Sequence, residues 1–282
     1  MLDLNRDDIY LIGEIGINHS GDIQIAKKLI DAIHCCGWNC AKFQKRNPDK
    51  CVPEHQKNVM RDTPWGRMTY LQYKYKLEFG IEQYDYIDKY CNEKPIDWSA
   101  SVWDIDSLNF LLQYKIPFIK IPSALITNLE LVSESAKSLL PMIISTGMST
   151  IQEIDTAVNE TLKYNKNLVI MHTNSEYPAP HNDLNLLCIP MLKERYNCTI
   201  GYSGHEEDVE PTVVACTLGA RVVERHITIS HSLWGTDQKA SLEVMGMDIL
   251  AKRIKDIPVI MGDGNKRITD GELEKRNQLR KN

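Results

Sequence analysis

Eight short apolar runs alternate with longer amphipathic stretches along almost the whole chain, and that alternation leaves few folds open. The runs cover residues 9–16, 39–44, 96–102, 118–121, 142–146, 168–173, 199–203 and 221–227. Most are apolar on both faces and rich in Ile or Val, the pattern of buried parallel strands. The intervening stretches, 22–36, 81–94, 104–114, 128–140, 151–164, 184–196, 209–218 and 247–257, carry helical spacing. In the first of them Ile25, Leu29, Ile30 and Ile33 share one face. Ser149 or Thr150 stands where a helix cap is needed, with Glu153 a turn later. Alternating β and α elements point to an α/β protein, and eight strands are what a (β/α)8 TIM barrel needs. A length of 282 residues suits one such barrel, for which about 250 is typical. No Gly/Ser-rich linker or break in composition divides the chain, so residues 1–282 are expected to form a single domain.

Two stretches exceed ordinary loop length. Residues 45–80 hold Pro48, Pro53 and Pro64 with the aromatics Trp65, Tyr70, Tyr73 and Tyr75, and residues 230–246 follow the eighth run. Both would leave the C-terminal end of a strand, the face on which barrel enzymes build their sites. Residues 262–282 read as a highly charged tail with room for a short helix. The chain carries 33 Lys and Arg against 38 Asp and Glu, a net charge of −5, with no long run of either sign. That balance argues against nucleic acid or a membrane surface as the main partner. No segment approaches the ~20 apolar residues of a membrane span. The polar, acidic start also lacks the apolar core of a signal peptide. A cytoplasmic location is therefore expected, with the eight scattered cysteines as reduced thiols, since no C-x-x-C pair occurs.

Polar residues cluster at the ends of the proposed strands. Glu14 ends the first, Lys42 and Gln44 the second, Ser101 the third, and Lys120 and Ser123 the fourth. Ser145 and Thr146 end the fifth; His172 and Ser175 follow the sixth, Ser203 and His205 the seventh, and Glu224 and His226 the eighth. In a closed barrel these ends converge on one mouth. Lys42 and Lys120 sit in otherwise apolar strands, where an unpaired ammonium is costly. With the hydroxyls of Ser101, Ser123 and Ser145 they would make a phosphate pocket. A Schiff-base lysine, or simple pairing with Glu14 or Glu224, are the alternatives. His205 and His226 end neighbouring strands, and two imidazoles with water and substrate oxygens would hold an exchangeable divalent cation, Mn²⁺ before Mg²⁺, Co²⁺ or Zn²⁺. There is no G-x-G-x-x-G, Walker, G-x-S-x-G or H-E-x-x-H pattern, which sets aside dinucleotide, P-loop and serine-hydrolase chemistry.

Taken in order, several segments resemble the sialic acid (N-acetylneuraminate) synthase family. They are Ile12-Gly-Glu-Ile-Gly-Ile-Asn-His-Ser-Gly21, Ala41-Lys-Phe-Gln44, Phe118-Ile-Lys-Ile-Pro-Ser123 and Ile143-Ile-Ser-Thr-Gly-Met148. Tyr177-Pro-Ala-Pro180, Ile200-Gly-Tyr-Ser-Gly-His205, Val223-Glu-Arg-His-Ile-Thr228 and Trp234-Gly-Thr-Asp-Gln-Lys-Ala-Ser-Leu-Glu243 continue the match. The resemblance implies a condensation of phosphoenolpyruvate with an N-acetylmannosamine-like amino sugar, giving a nine-carbon 2-keto-3-deoxy acid and phosphate. It implies that Lys42, Lys120, Ser101, Ser123, Ser145, Ser175 and Ser203 hold phosphoenolpyruvate and that His205 and His226 hold Mn²⁺. Glu14, Gln44, Tyr177 and Asp237 would lie around the sugar and the attacking water, with Glu14, Lys42, His226 and Asp237 as the catalytic set.

Two departures stand out. Many members carry an acidic residue where this chain has Leu125, and full-length relatives add a C-terminal antifreeze-like domain beyond the barrel, with which dimerisation is associated. A homodimer is the default expectation. Two other functional readings stay open. One is a related condensation on a phosphorylated tetrose or pentose, for which Arg46, Lys50 and Arg61 are the available second basic cluster. The other is a non-catalytic phosphate- and metal-binding barrel.

Overall fold

A computed structural model describes residues 2, 3 and 8–280. Eight parallel strands close into a barrel: β1 (Tyr10–Gly16), β2 (Cys40–Lys45), β3 (Asp97–Val102), β4 (Ile119–Ile121), β5 (Met142–Ser145), β6 (Leu168–Thr173), β7 (Thr199–Gly204) and β8 (Val222–His226). Each pairs with its sequence neighbours, and β8 closes the ring on β1 with Ile12 opposite Glu224 and Glu14 opposite His226. The (β/α)8 expectation holds, with every strand within about two residues of its predicted bounds.

Alternate residues of a strand face opposite sides of the sheet, so each strand serves two cores. Tyr10, Ile12, Cys40, Phe118, Ile143, Val169, Met171 and Val222 form a cluster in the barrel interior. Their neighbours Leu11, Ala41, Phe43, Ile119, Ile144, Ile170 and Val223 pack outward in a second, larger cluster with Leu29, Ile33, Leu108, Val158 and Leu250 from the helices. Continuing the inward rows toward the strand ends changes their chemistry: Glu14 follows Ile12, Lys42 follows Cys40, Lys120 follows Phe118, Ser145 follows Ile143 and Glu224 follows Val222. The barrel is filled by apolar layers below and a polar layer on top.

Three stretches depart from expectation. Residues 45–80 are built rather than irregular. They contain short helices Pro48–Cys51 and Glu54–Lys57, a hairpin of Met60–Thr63 and Gly66–Thr69, and helix Tyr70–Leu77, whose capping box pairs Thr69 with Gln72. The helix anticipated from residue 184 starts only at Cys188, because the Leu184 and Asp183 carbonyls accept hydrogen bonds from His172 Nε2 and Asn174 Nδ2 instead. The last barrel helix is longer than expected, Val244–Met261, and the charged tail forms helix Asp270–Leu279 with nothing buried. Residues 281–282 of that tail lie outside the described residues. Thr150 caps helix Ile151–Leu162 together with Glu153, as read from the sequence. All eight cysteines are free thiols, and among the described residues no helix is long and apolar enough to cross a membrane.

Behind the site, Arg225 on the outer face of β8 is fully buried and pairs with the equally buried Glu206 at 3.0 Å. Its guanidinium also donates to the Asp208 carbonyl and Thr212 Oγ1, while Glu206 accepts from Tyr202 and Thr212. Removing one partner of such a pair strands a charge in the core, which costs on the order of 3–5 kcal/mol. Arg225→Met should therefore lower the denaturation midpoint sharply. Arg253→Met, at an exposed pair with Glu210, should shift it far less; equal effects in a circular-dichroism melt would show that the buried network is not what holds this segment.

Candidate active site

The polar layer encloses a cavity of about 210 Å³ at the C-terminal end of the barrel. Its wall includes Glu14, Lys42, Gln44, Ser101, Lys120, Ser123, Ser145, Ser175, Tyr177, Ser203, His205 and His226, so twelve of the thirteen predicted site residues reach one space. Asp237 is the exception. It stands behind the wall, with Oδ2 3.8 Å from His226 Nδ1.

At the centre, Lys42 Nζ lies 2.5 Å from Glu14 Oε2 and 3.4 Å from Glu224 Oε1, and Lys120 Nζ lies 3.2 Å from that same Glu224 oxygen. The pairing alternative raised for these lysines is thus realised, yet both also line the cavity. All four side chains are almost wholly buried. Burial alone would push the Glu224 carboxyl up, but Lys120 and Lys42 hold it well below the usual carboxylate range. Burial works against the Lys42 ammonium too; Glu14 and Glu224 outweigh it and raise its pKa. Lys120 ends lower than an ordinary lysine, through burial and the nearby Lys42 charge, only partly offset by Glu224.

Hydroxyls ring this charged centre. Ser101 accepts a hydrogen bond from Lys42 at 2.8 Å, and Ser203 lies 3.5 Å from Glu224 Oε1. Ser123 Oγ accepts from the Gly147 backbone N–H at 3.0 Å. A Cβ on Gly147 would fall 2.1 Å from Ser175 Oγ and 2.9 Å from Ser123 Oγ, so only glycine lets the two serines close together. Gly16 has a comparable role on the other side: its φ of +53° sits at the register shift after Glu14, and a Cβ would press on Gln44 and Glu14.

The His205 ring is tautomerically defined. Its Nδ1 donates to the Asn174 carbonyl, which leaves Nε2 with a lone pair that accepts from Tyr177 Oη at 2.9 Å. Burial, reinforced by His226, holds its pKa down to about 3, so the ring is neutral. His226 stands 5.5 Å away between ring centroids. Among the described residues no group of three His, Cys, Asp or Glu side chains is placed to bind a metal ion.

Besides Glu14 Oε2, which ion-pairs with Lys42, four buried polar atoms of this site have no hydrogen-bond partner within the chain: Trp103 Nε1, Ser145 Oγ, Glu224 Oε2 and His226 Nδ1. Such orphans call for an explanation, and a cavity shared by all four residues points to a bound polar molecule. Larger depressions of about 800 and 490 Å³ lie elsewhere, but no unpartnered buried polar atom among the described residues belongs to their walls. Trp103, Thr173 and Met148 also line the cavity but were not among the site candidates read from the sequence, where little beyond their position at or just past a strand end marked them. His172 turns away, stacked on Tyr202. Leu125 packs against the core beside the site.

The NeuB family model matches residues 29–266. The chain is 39% identical over 252 residues to an N-acetylneuraminate-9-phosphate synthase of Drosophila melanogaster, covering 88% of this chain and 68% of that protein. It is 33% identical over 276 residues to an N,N'-diacetyllegionaminic acid synthase of Campylobacter jejuni, covering 96% and 83%. The crystal structure of an N-acetylneuraminic acid synthetase from Leptospira borgpetersenii, in complex with citrate, superposes with a TM-score of 0.86 at 29% identity, over 100% of this chain and 98% of that one.

If the Ser123–Gly147–Ser175 cradle holds an anion, Gly147→Ala should weaken phosphoenolpyruvate or inorganic phosphate binding by about tenfold, as loss of one good hydrogen bond does. Equilibrium dialysis checks this. Unchanged affinity with an unchanged melting temperature would remove the cradle from the site.

Proposed function

The chain belongs to the NeuB family, and from that membership and the cavity's chemistry we propose that it condenses phosphoenolpyruvate with an amino-sugar aldehyde, N-acetylmannosamine-like, to a nonulosonic 2-keto-3-deoxy acid and phosphate. The observation that supports it most directly is the meeting of Lys42 and Lys120 on one Glu224 oxygen inside a hydroxyl-lined cavity with unpartnered polar atoms.

In this reading the two ammonium groups and the Ser123–Gly147–Ser175 cradle receive the phosphate and carboxylate of phosphoenolpyruvate, with Ser101, Ser145 and Ser203 completing the donor set. C3 of phosphoenolpyruvate bonds to the aldehyde carbon of the open-chain sugar, whose oxygen becomes an alkoxide that takes up the water proton Glu14 receives in the hydration step. Positive charge develops at C2, facing the Glu224 and Glu14 carboxylates. Water then adds to C2, its proton passing to Glu14, which Lys42 and Gln44 hold by its two oxygens. Cleavage of the C2–O bond releases phosphate beside Lys42 and Lys120, whose charges stabilise it; the proton of the C2 hydroxyl passes to the departing phosphate, and the ketone remains. Tyr177 lines the sugar's side of the cavity at His205, and Asp237 stands behind it against His226.

A divalent cation, Mn²⁺ before Mg²⁺ or Co²⁺, fits this donor set. His205 is neutral, with its lone pair on Nε2 facing the site, and His226 Nδ1 is buried without a partner. The Tyr177 hydroxyl sits on that Nε2 and must swing aside for a cation to bind there. Water and substrate oxygens would complete the coordination, since two imidazoles make an exchangeable site. Bound there, the cation would polarise the sugar aldehyde and orient it. With Glu14 and Glu224 already balancing the two lysines, it would also offset the incoming anion's charge.

Incubation with phosphoenolpyruvate, Mn²⁺ and a panel of amino sugars, read by phosphate release and product mass, tests the reading. Ligand binding without turnover on any aldehyde would favour a non-catalytic barrel. Lys120→Met should raise the KM for phosphoenolpyruvate by about 10- to 100-fold, the loss of a charge-assisted contact, and the sugar KM far less. Equal loss of both would count against the assignment. Chelation should abolish turnover and Mn²⁺ should restore it, whereas His226→Ala should stay at least on the order of 100-fold down with metal present and the fold intact.

A further inference from the structure

Trp103 is the first residue past β3, and the strands on either side of it, β2 and β4, carry Lys42 and Lys120. Ser101 stands opposite Gln44 on one side and Lys120 on the other, and it accepts from Lys42. Trp103 comes two residues later on the same inward row, so the indole enters the cavity one step above Ser101. Its Nε1 is buried and has no acceptor in the chain.

The residue is braced on every side but that edge. Its backbone N–H donates to the Lys45 carbonyl at 3.1 Å, and its carbonyl accepts from Cys51 Sγ at 3.6 Å. Asp104, the next residue, accepts from the Asn47 backbone N–H at 2.6 Å and caps the following helix through Ser107. The Arg46 guanidinium lies over the indole face, 4.6 Å from the ring centroid, and is itself held by Gln44 and by Glu78. Such stacking engages the ring face and leaves the in-plane N–H uncommitted. Pro122 and Ala124, from the neighbouring β4 end, bring no side-chain acceptor, and the Ser123 hydroxyl between them is engaged by the Gly147 N–H. An indole nitrogen only donates, and leaving a buried donor unmet costs about 1–3 kcal/mol.

We propose that the Trp103 indole N–H is a binding contact for phosphoenolpyruvate, donating to one of its anionic oxygens as the neutral member of a donor set whose charged members are Lys42 and Lys120. This rests on the synthase reading above and adds to its site a residue outside the lysines, serines and histidines. An anion suits this arc of the wall because β2, β3 and β4 present two ammonium groups and the Ser101 hydroxyl, all of which donate. The carboxylates that sugar hydroxyls would seek as acceptors, Glu14 and Glu224, stand on β1 and β8 instead. A neutral donor also holds the anion without adding charge to a centre where two lysines already face two carboxylates. Its bond to an anionic oxygen is stronger than one between neutral groups.

Heteronuclear NMR of nitrogen-labelled protein reads this contact without turnover. The chain has five tryptophans, and Trp103→Phe identifies the Trp103 indole signal as the one that disappears. Saturating phosphoenolpyruvate, with no acceptor sugar present, should move that signal downfield. In calorimetric titration Trp103→Phe should bind phosphoenolpyruvate about 10- to 100-fold more weakly than wild type. The benzothiophene analogue of tryptophan at this position keeps the ring and its stacking on Arg46 but has no N–H. It should weaken binding about as much, which separates the lost donor from a disturbed loop. Inorganic phosphate alone assigns the oxygen: a moved signal places the contact on the phosphoryl group, and a signal moved only by phosphoenolpyruvate places it on the carboxylate. An unmoved Trp103 signal at saturation, or full affinity in the benzothiophene variant, would overturn the contact and leave the synthase reading standing. If wild type does not bind phosphoenolpyruvate, the synthase reading fails, and the phosphate titration then decides: a moved Trp103 signal retains the anion contact, and an unmoved one overturns it.

Discussion

Two ammonium groups and two carboxylates share the top of a sealed barrel, and most of what surrounds them follows from their mutual need. Any one of these charges, left alone at such depth, would be prohibitively costly. Together Lys42, Lys120, Glu14 and Glu224 balance, and each is held by at least one other at 3.4 Å or less. Balanced charges of this kind are poor evidence of stability, since an apolar layer of the same volume would serve the barrel as well. Their presence makes sense as function. Both lysines face a cavity rather than a closed core, and Glu224 keeps one oxygen without a hydrogen bond.

The same balance explains why the fold could be read from the sequence more easily than the site's inner logic. Strands such as Cys40–Lys45 look apolar on both faces because the inward row is apolar for its lower part and turns polar only for its last one or two members. That pattern marks a buried parallel strand ending at a site, so the barrel and twelve wall residues were legible from Lys42, Lys120 and the terminal serines and histidines. Glu224 was visible only as a possible partner, because a sequence cannot say that two lysines from different strands will meet on one oxygen. Trp103 and Thr173 were invisible for another reason: an aromatic or threonine at a strand end is ordinary core or loop chemistry until the closed ring shows which way it points.

Long segments set the limit of that approach. Residues 45–80 carry prolines and mixed charges that defeat any single period, yet they fold because their aromatics find partners elsewhere in the chain. Tyr73 and Trp65 reach Trp234, a residue some 160 positions away in sequence, and Lys45 anchors the segment's end to Glu78 and the Phe79 carbonyl. Local propensity contains none of this. Of Arg46, Lys50 and Arg61, the basic residues singled out in the sequence, Lys50 is spent on Asp106, a tertiary pairing that local sequence does not disclose.

A division of labour between the two faces of the strands follows. The inward rows of β7 and β8 carry Ser203, Glu224 and His226, all committed to the cavity. Their outward neighbours carry Arg225 and Tyr202, which tie the start of the β7 loop through Glu206 and Thr212. His205 is the first residue past β7, and its orientation depends on that loop and on the carbonyl of Asn174, the first residue past β6. An outer network facing away from the cavity can thus fix the loop that begins at His205, while the inner network faces the cavity. Rigidity behind the wall is what lets the wall itself carry unpaired atoms.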